Sequence, residues 1–120
     1  MTVIERYWTA IEARDWPGLS TLLHPGVVYE LPQTRERIRG RERYLQFNAE
    51  YPGDWHLTIE RTHEDPSGGA SWTAFTVGDE TVPALTFFRF DDAGLIAHIT
   101  DFWPEPYDPP PGREHLVERF

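Results

Sequence analysis

The chain contains no cysteine, no lysine and a single methionine in 120 residues. Without cysteine there is no disulfide, no thiolate metal site and no thiol nucleophile. Without lysine, Schiff-base chemistry through a side chain is closed, because all eleven basic residues are arginine. No apolar run approaches the roughly 20 residues of a membrane-spanning helix. No stretch ahead of the first helical pattern has the form of a signal peptide. Basic charge is scarce as well: a net charge of −9 argues against a nucleic-acid backbone or an anionic membrane as partner. These absences predict a cytoplasmic single domain spanning 1–120, long enough to bury roughly two-thirds of its unfolded surface around one core.

What the chain has in quantity is rings, seventeen of them. Aromatic side chains fill cores, and they also wall pockets for flat or apolar ligands. Their order along the chain follows a helical first part and a strand-rich second part. Val3, Ile4, Tyr7, Trp8 and Ile11 have the spacing of one helical face, which predicts a helix over 3–14. Pro17 opens a second short helix carrying Leu19, Leu22 and Leu23, which His24-Pro25-Gly26 should end. Val27 to Leu31 alternates as a strand, and Gln33 to Arg39 reads as a loop or irregular edge. A third helix runs from Gly40 through Glu50. Four strands follow, over 55–64, 71–77, 84–90 and 95–103, separated by turn sequences such as Asp91-Asp92-Ala93-Gly94. Helices followed by hairpin-connected strands predict an α+β fold, with helices packed on one face of a curved antiparallel sheet.

The last strand carries the residue that matters most. In "HITDFWPEP", Asp101 shares the alternate set of Ile99 and Trp103. A carboxylate on the same face as large apolar residues is either solvated at a strand end or part of a cavity wall. On the cavity reading its charged form is disfavoured, its pKa rises, and it becomes a better base near neutrality.

Order and spacing of three motifs give the chain a family likeness. "ERYWTAIEARDWPGLSTLLHPGVVYELP", "IRGRERYLQFN" and "FFRFDDAGLIAHITDFW" together resemble the nuclear-transport-factor-2-like superfamily, in its SnoaL-like and ketosteroid-isomerase-like branch. That resemblance covers almost the whole chain and implies a cone-shaped, cystatin-like α+β fold. It further implies that Tyr7 donates a hydrogen bond to a developing oxyanion. The isomerase pattern has its general-base aspartate just before the proline ending the first strand, where this chain has Leu31. The second acid of that pattern falls at Thr86 and the second tyrosine, on the third helix, at Asn48. Trp103 matches a pocket-wall tryptophan. Epoxide-hydrolase-like members need an arginine and an aspartate on a middle strand, and "SWTAFTV" has neither. SnoaL-like cyclases use an aspartate near the closing strands as acid/base, the position of Asp101.

The expected site therefore has Asp101 and Tyr7 as catalytic groups. Tyr29, Leu31, Asn48, Trp72, Thr86, Ile99 and Trp103 should contact substrate. Asn48 lies inside the apolar stripe of the third helix and needs a hydrogen-bond partner, either a structural carbonyl or Tyr7 and the ligand. Trp72 is a core residue or a pocket wall. Glu30 points away from Tyr29 unless a bulge reverses the strand. The alternating arginines 35–43 form a solvated edge, or place one guanidinium at the pocket mouth. The five histidines have no metal-ligand spacing, and one acid/base with oxyanion donors needs neither a metal nor an organic cofactor.

Two functions stay open: a cofactor-free cyclase or isomerase acting on a hydrophobic carbonyl compound, and a non-catalytic ligand-binding or assembly protein of the same fold. The partners expected are a hydrophobic small molecule and a second copy of the chain. The face opposite Asp101, with Ile96, His98, Thr100 and Phe102, should be apolar enough to need covering. The proline-stiffened tail bearing Leu116, Val117 and Phe120 should pack on its own domain or on the partner.

Overall fold

The computed structural model describes all residues, 1–120. Helix α1 (Val3–Glu12) and the short α2 (Trp16–Ser20) lead into strand β1 (Leu23–Leu31) and edge strand β2 (Glu36–Arg39). Helix α3 (Arg41–Ala49) is followed by β3 (Trp55–Asp65), β4 (Gly68–Val77), β5 (Glu80–Phe90) and β6 (Ile96–Phe102). One curved sheet of order β2-β1-β6-β5-β4-β3 results. All neighbours in it are antiparallel except β1 and β6, which run parallel. The α+β architecture expected from the sequence is the one observed.

Helix α1 starts with a capping box, in which Thr2 caps the Glu5 amide and Glu5 reaches back to Thr2. Carboxylates tie both its ends to β3. Glu64 accepts from the Ile4 amide at 2.9 Å, and Glu12 accepts from the Leu57 amide at 2.9 Å. Midway, the Trp8 indole donates to Ser71 Oγ on β4 at 2.9 Å. Three anchors along ten residues fix the rotation of α1, and with it the inward direction of Tyr7. Helix α3 is set by Gly40, whose φ of 97° no other residue adopts readily. The Gly40 amide donates to Val27 O at 2.9 Å, which hangs the start of α3 on β1.

The core lies between the helices and the sheet, with Ile4, Leu19, Leu23, Val27, Ile96 and Ile99 fully buried. Ile96 corrects an expectation. Strict alternation would put it on the outer face with His98, but the register slips between Arg89 and Phe90 and turns Ile96 inward beside Leu22 and Leu23. Residues 24–26 also differ from expectation: His24-Pro25-Gly26 lies within β1, where the pairing with β6 is interrupted between Leu23 and Val28. The tail forms no helix. Residues 104–120 are exposed apart from the half-buried Pro109, and they do not fold back over the sheet. The radius of gyration of 16.1 Å accordingly exceeds the about 14 Å of a compact chain this long.

Candidate functional site

Asp101, on β6, is 4% exposed and yet lines a cavity of about 300 Å³ between the helices and the inner sheet face. Its Oδ2 accepts the Tyr29 hydroxyl at 2.5 Å, and its Oδ1 accepts the hydroxyl of Thr86. Both contacts follow from strand register. Thr86 on β5 stands directly opposite Asp101, while Tyr29 on β1 stands opposite Ile99, one inward position earlier. Burial holds the Asp101 carboxyl up at about 6, against the lowering effect of the Thr86 and Tyr29 hydrogen bonds. No cation contributes to that balance.

Across the cavity the hydroxyls of Tyr7 on α1 and Tyr44 on α3 hydrogen-bond each other. Burial raises both phenols far above their ordinary value, and the charge of Asp101 pushes in the same direction. Tyr29 is raised likewise by burial and by Asp101. The three phenols therefore stay protonated at any ordinary pH and serve as donors. One proton of the Tyr7–Tyr44 pair makes the bond between them, so the other hydroxyl proton remains available to a ligand oxygen. Tyr29 and Tyr44 pack ring against ring at 4.7 Å, and Tyr7 meets Phe88 edge-on at 5.0 Å. These contacts leave the hydroxyls little freedom to reorient.

Twelve of the sixteen residues around the cavity are hydrophobic. Phe47, Tyr51, Trp55, Phe75 and Trp103 form a collar of rings whose successive centroids lie 5.1 to 6.4 Å apart. Trp55 is held from behind by the Arg14 guanidinium, 3.4 Å from its ring centroid. Such a wall suits a flat, largely apolar molecule.

Of the residues singled out in the sequence, Tyr7, Tyr29, Leu31, Asn48, Asp101 and Trp103 line this cavity. Thr86 and Ile99 do not. Both are fully buried behind the wall, Thr86 as a partner of Asp101 and Ile99 in the core. Trp72 is on the opposite side of the sheet and 46% exposed, because β4 sends Ser71 and Thr73 inward. It is neither core nor pocket wall. Asn48 donates to the Tyr44 carbonyl of its own helix at 2.9 Å rather than to Tyr7. The tyrosine that α3 brings to Tyr7 is Tyr44, one turn before Asn48. Its place in the apolar stripe of that helix was the only sign of it in the sequence.

Charges at the rim also sort themselves by strand alternation. Arg37 pairs with Glu30 at 2.6 Å on the outer face, where His98 reaches the same carboxylate at 2.7 Å. Glu30 thus points outward, with no bulge reversing it. Glu36, the neighbour of Arg37, lines the cavity instead, and no arginine does. No group of histidines and acids has the arrangement of a metal site.

A cone of helices on a curved sheet, closing over an aromatic cavity with one buried acid, is the nuclear-transport-factor-2-like, cystatin-like architecture. The chain belongs to the SnoaL-like domain family, whose profile matches residues 4–99. Asp101 lies two residues beyond that stretch. A candidate ketosteroid isomerase from Kribbella flavida DSM 17836 is 49% identical over 98% of this chain and 87% of its own, with a TM-score of 0.95. A nuclear-transport-factor-2-like protein of unknown function from Burkholderia xenovorans LB400 is 18% identical, covering 98% and 92% of the two chains, with a TM-score of 0.83. A candidate SnoaL-like polyketide cyclase from Shewanella denitrificans OS-217 is 14% identical, covering 85% and 88%, at 0.73. The last two share the fold alone. No curated protein matches this chain. No helix is long and apolar enough to cross a membrane.

Proposed function

We propose that the cavity binds a hydrophobic carbonyl compound and moves a proton on it, as a cofactor-free isomerase or cyclase. The observation carrying this reading is the pairing of one buried carboxylate with a pair of buried hydroxyls across an apolar cavity. Asp101 takes the proton from the carbon next to the carbonyl. Each of its oxygens already accepts one hydrogen bond but keeps a second lone pair. The electrons of the broken C–H bond move into the carbonyl, and the spare proton of Tyr7 or Tyr44 stabilises the resulting enolate oxygen. Return of the proton at a different carbon isomerises the compound. Attack of the enolate carbon on a second carbonyl closes a ring, and the alkoxide so formed takes the proton from Asp101. The aromatic collar excludes water and holds the substrate flat. Likeness to the candidate isomerase from Kribbella flavida supports the same reading.

Hydrogen–deuterium exchange next to the carbonyl of 2-acetylnaphthalene, followed by proton NMR in D2O, tests it without knowledge of the substrate. The protein should accelerate exchange over buffer, and Asp101→Asn should not. Equal exchange by both proteins ends the acid/base assignment. The competing reading is a ligand-binding protein without chemistry. Leu31, where the isomerase pattern has its base, favours it, and binding of the ketone with no exchange would establish it.

The same reading includes a homodimer. Trp72, Leu85 and Phe102 are register partners across β4, β5 and β6, so their side chains form one row on the outer face. Phe87 extends that row, 52% exposed and edge-on to Phe102 at 6.0 Å. Two such rows facing each other about a two-fold axis cover an apolar surface that monomers seldom leave open. A mass near 14 kDa in light scattering at micromolar concentration excludes the dimer.

A further inference from the structure

The rim of the cavity has a property that the proton-transfer reading does not require. Among its lining residues there is no arginine and no histidine, and the chain has no lysine. The ionisable groups that reach the cavity are two carboxylates, Asp101 at the base and Glu36 at the mouth, together with tyrosines. This is not for want of cations close by in the chain, since arginines stand at 35, 37, 39, 41 and 43.

Arg35 and Arg37 share a shallow outer depression with Glu30 and Glu36, and neither arginine lines the cavity. Strand β2 alternates so that Glu36 and Ile38 face inward while Arg37 faces Glu30, with which it pairs at 2.6 Å. Arg39, Arg41 and Arg43 surround a separate shallow depression beside Pro25 and Gly40. Arg14 lies behind the Trp55 ring and donates to the backbone carbonyls of Glu12 and Trp55. Glu36, by contrast, has no hydrogen-bonded or ion-paired side chain within the chain. An exposed carboxylate with no bonded side chain, at the edge of an aromatic cavity, presents negative potential to whatever enters.

We infer that this cavity selects its ligands by charge, admitting carbonyl compounds that are uncharged or carry an amine at the outer end and excluding carboxylates and phosphates. Glu36 is the residue that sets the selection at the mouth. The inference rests on the carbonyl-binding reading above and narrows its substrate class. Acyl groups delivered on a phosphate-bearing carrier are excluded, and so are free aromatic acids. An anion in the cavity meets no counter-charge, loses water against apolar rings, and lies near a like charge at Asp101. An ammonium group at the mouth meets Glu36 and the aromatic lining of the cavity. Asp101 supports this picture, since burial raises its pKa with no cation opposing the effect.

Three probes of one shape test the inference: 2-acetylnaphthalene, 2-naphthoate and protonated 2-naphthylmethylamine. Their binding is read by calorimetry or by quenching of the cavity tryptophans at pH 8. The ketone and the amine should bind, and the carboxylate should bind about tenfold or more weakly. Glu36→Arg should narrow the ketone-to-carboxylate ratio severalfold, with Glu36→Gln between it and the parent protein. The thermal midpoint of each variant shows that it is folded. Lowering the pH to 5 should narrow the same ratio in the parent protein, because Asp101 takes up its proton around 6. Naphthoate binding as tightly as the ketone overturns the charge selection and leaves the carbonyl site standing. A ratio unmoved by Glu36→Arg removes Glu36 from the selection. Failure of the ketone itself to bind ends the carbonyl reading and this inference with it.

Discussion

Both faces of strands β4, β5 and β6 carry residues of the kind usually found on the other face. Inward, toward the helices, these strands carry Ser71, Thr73, Thr86 and Asp101 among the apolar Ala84, Phe88 and Ile99, all buried. Outward they carry Trp72, Leu85, Phe87 and Phe102, of which only Phe102 is even half-buried. A sheet face that merely packs helices would be apolar inside and polar outside. Here the inner polar groups have partners: Trp8 donates to Ser71, and Thr86 and Tyr29 donate to Asp101. No buried side-chain nitrogen or oxygen in the protein lacks a hydrogen bond. Of the outer rings, Phe87 and Phe102 meet edge-on, while Trp72 stands exposed beside Leu85. Buried, fully bonded polar groups are what the proposed site requires, and large rings left in water are what the proposed dimer would cover.

Asp101→Asn separates the faces most strongly. It keeps the shape but removes the titratable oxygen, so proton exchange on a bound ketone should fall by about a hundredfold to ten-thousandfold. Ketone affinity and the oligomeric mass should stay as they were. Loss of the dimer in that variant would show that the faces are not independent. Tyr7→Phe should cost somewhat less, about a hundredfold or more in rate, because it removes one hydroxyl from the oxyanion side. Tyr44 then keeps its own proton for the ligand, which is why activity should not vanish.

Stability against pH gives the next largest effect. Asp101 has its carboxyl raised to about 6 in the folded chain from an ordinary 3.8. The folded state therefore holds this proton more tightly than the unfolded state does, and stability falls as pH rises through that window. A shift of about two units corresponds to about 3 kcal/mol. In urea titrations between pH 4 and pH 7, Asp101→Asn should lack this loss, so the variant gains on the parent as pH rises. Parallel curves for the two proteins contradict the buried, ionised Asp101.

Substitutions on the outer face should leave the cavity alone. Phe102→Glu places a charge in the middle of the ring row and should halve the mass measured by light scattering, with ketone binding unchanged. Trp72→Thr is the mildest. It removes an exposed side chain from a strand where threonine fits, so folding stability should move by less than about 1 kcal/mol. A large loss of ketone affinity in Trp72→Thr would restore that residue to the pocket wall, contrary to its outward position.

Alternation along each strand and helix was legible in the sequence wherever the backbone kept an unbroken period. On that basis Tyr29, Asp101 and Trp103 were placed on one face, Glu30 and His98 on the other, and α1 was expected to turn Tyr7 inward. A pattern of period two carries no information about where it slips. The irregularity near Phe90 therefore moved Ile96 from the outer face to the core without any sign in its neighbours. The interrupted pairing in β1 likewise absorbed His24-Pro25-Gly26, a sequence that reads as a stop.

Residue types and local period thus determined the fold class, the inward set on each element and the one acid worth following. Tertiary structure alone decided which inward residues meet. Thr86 was expected to touch substrate, but register places it directly opposite Asp101, where its hydroxyl holds the carboxylate instead. Tyr44 rather than Asn48 reaches Tyr7, and Asn48 turns back to the Tyr44 carbonyl of its own helix. Glu36 rather than an arginine reaches the cavity, because the pairing of Leu31 with Glu36 fixes which residues of β2 point inward. Register, crossing of helices and the position of a bulge depend on contacts between residues far apart in the chain, and no local pattern encodes them.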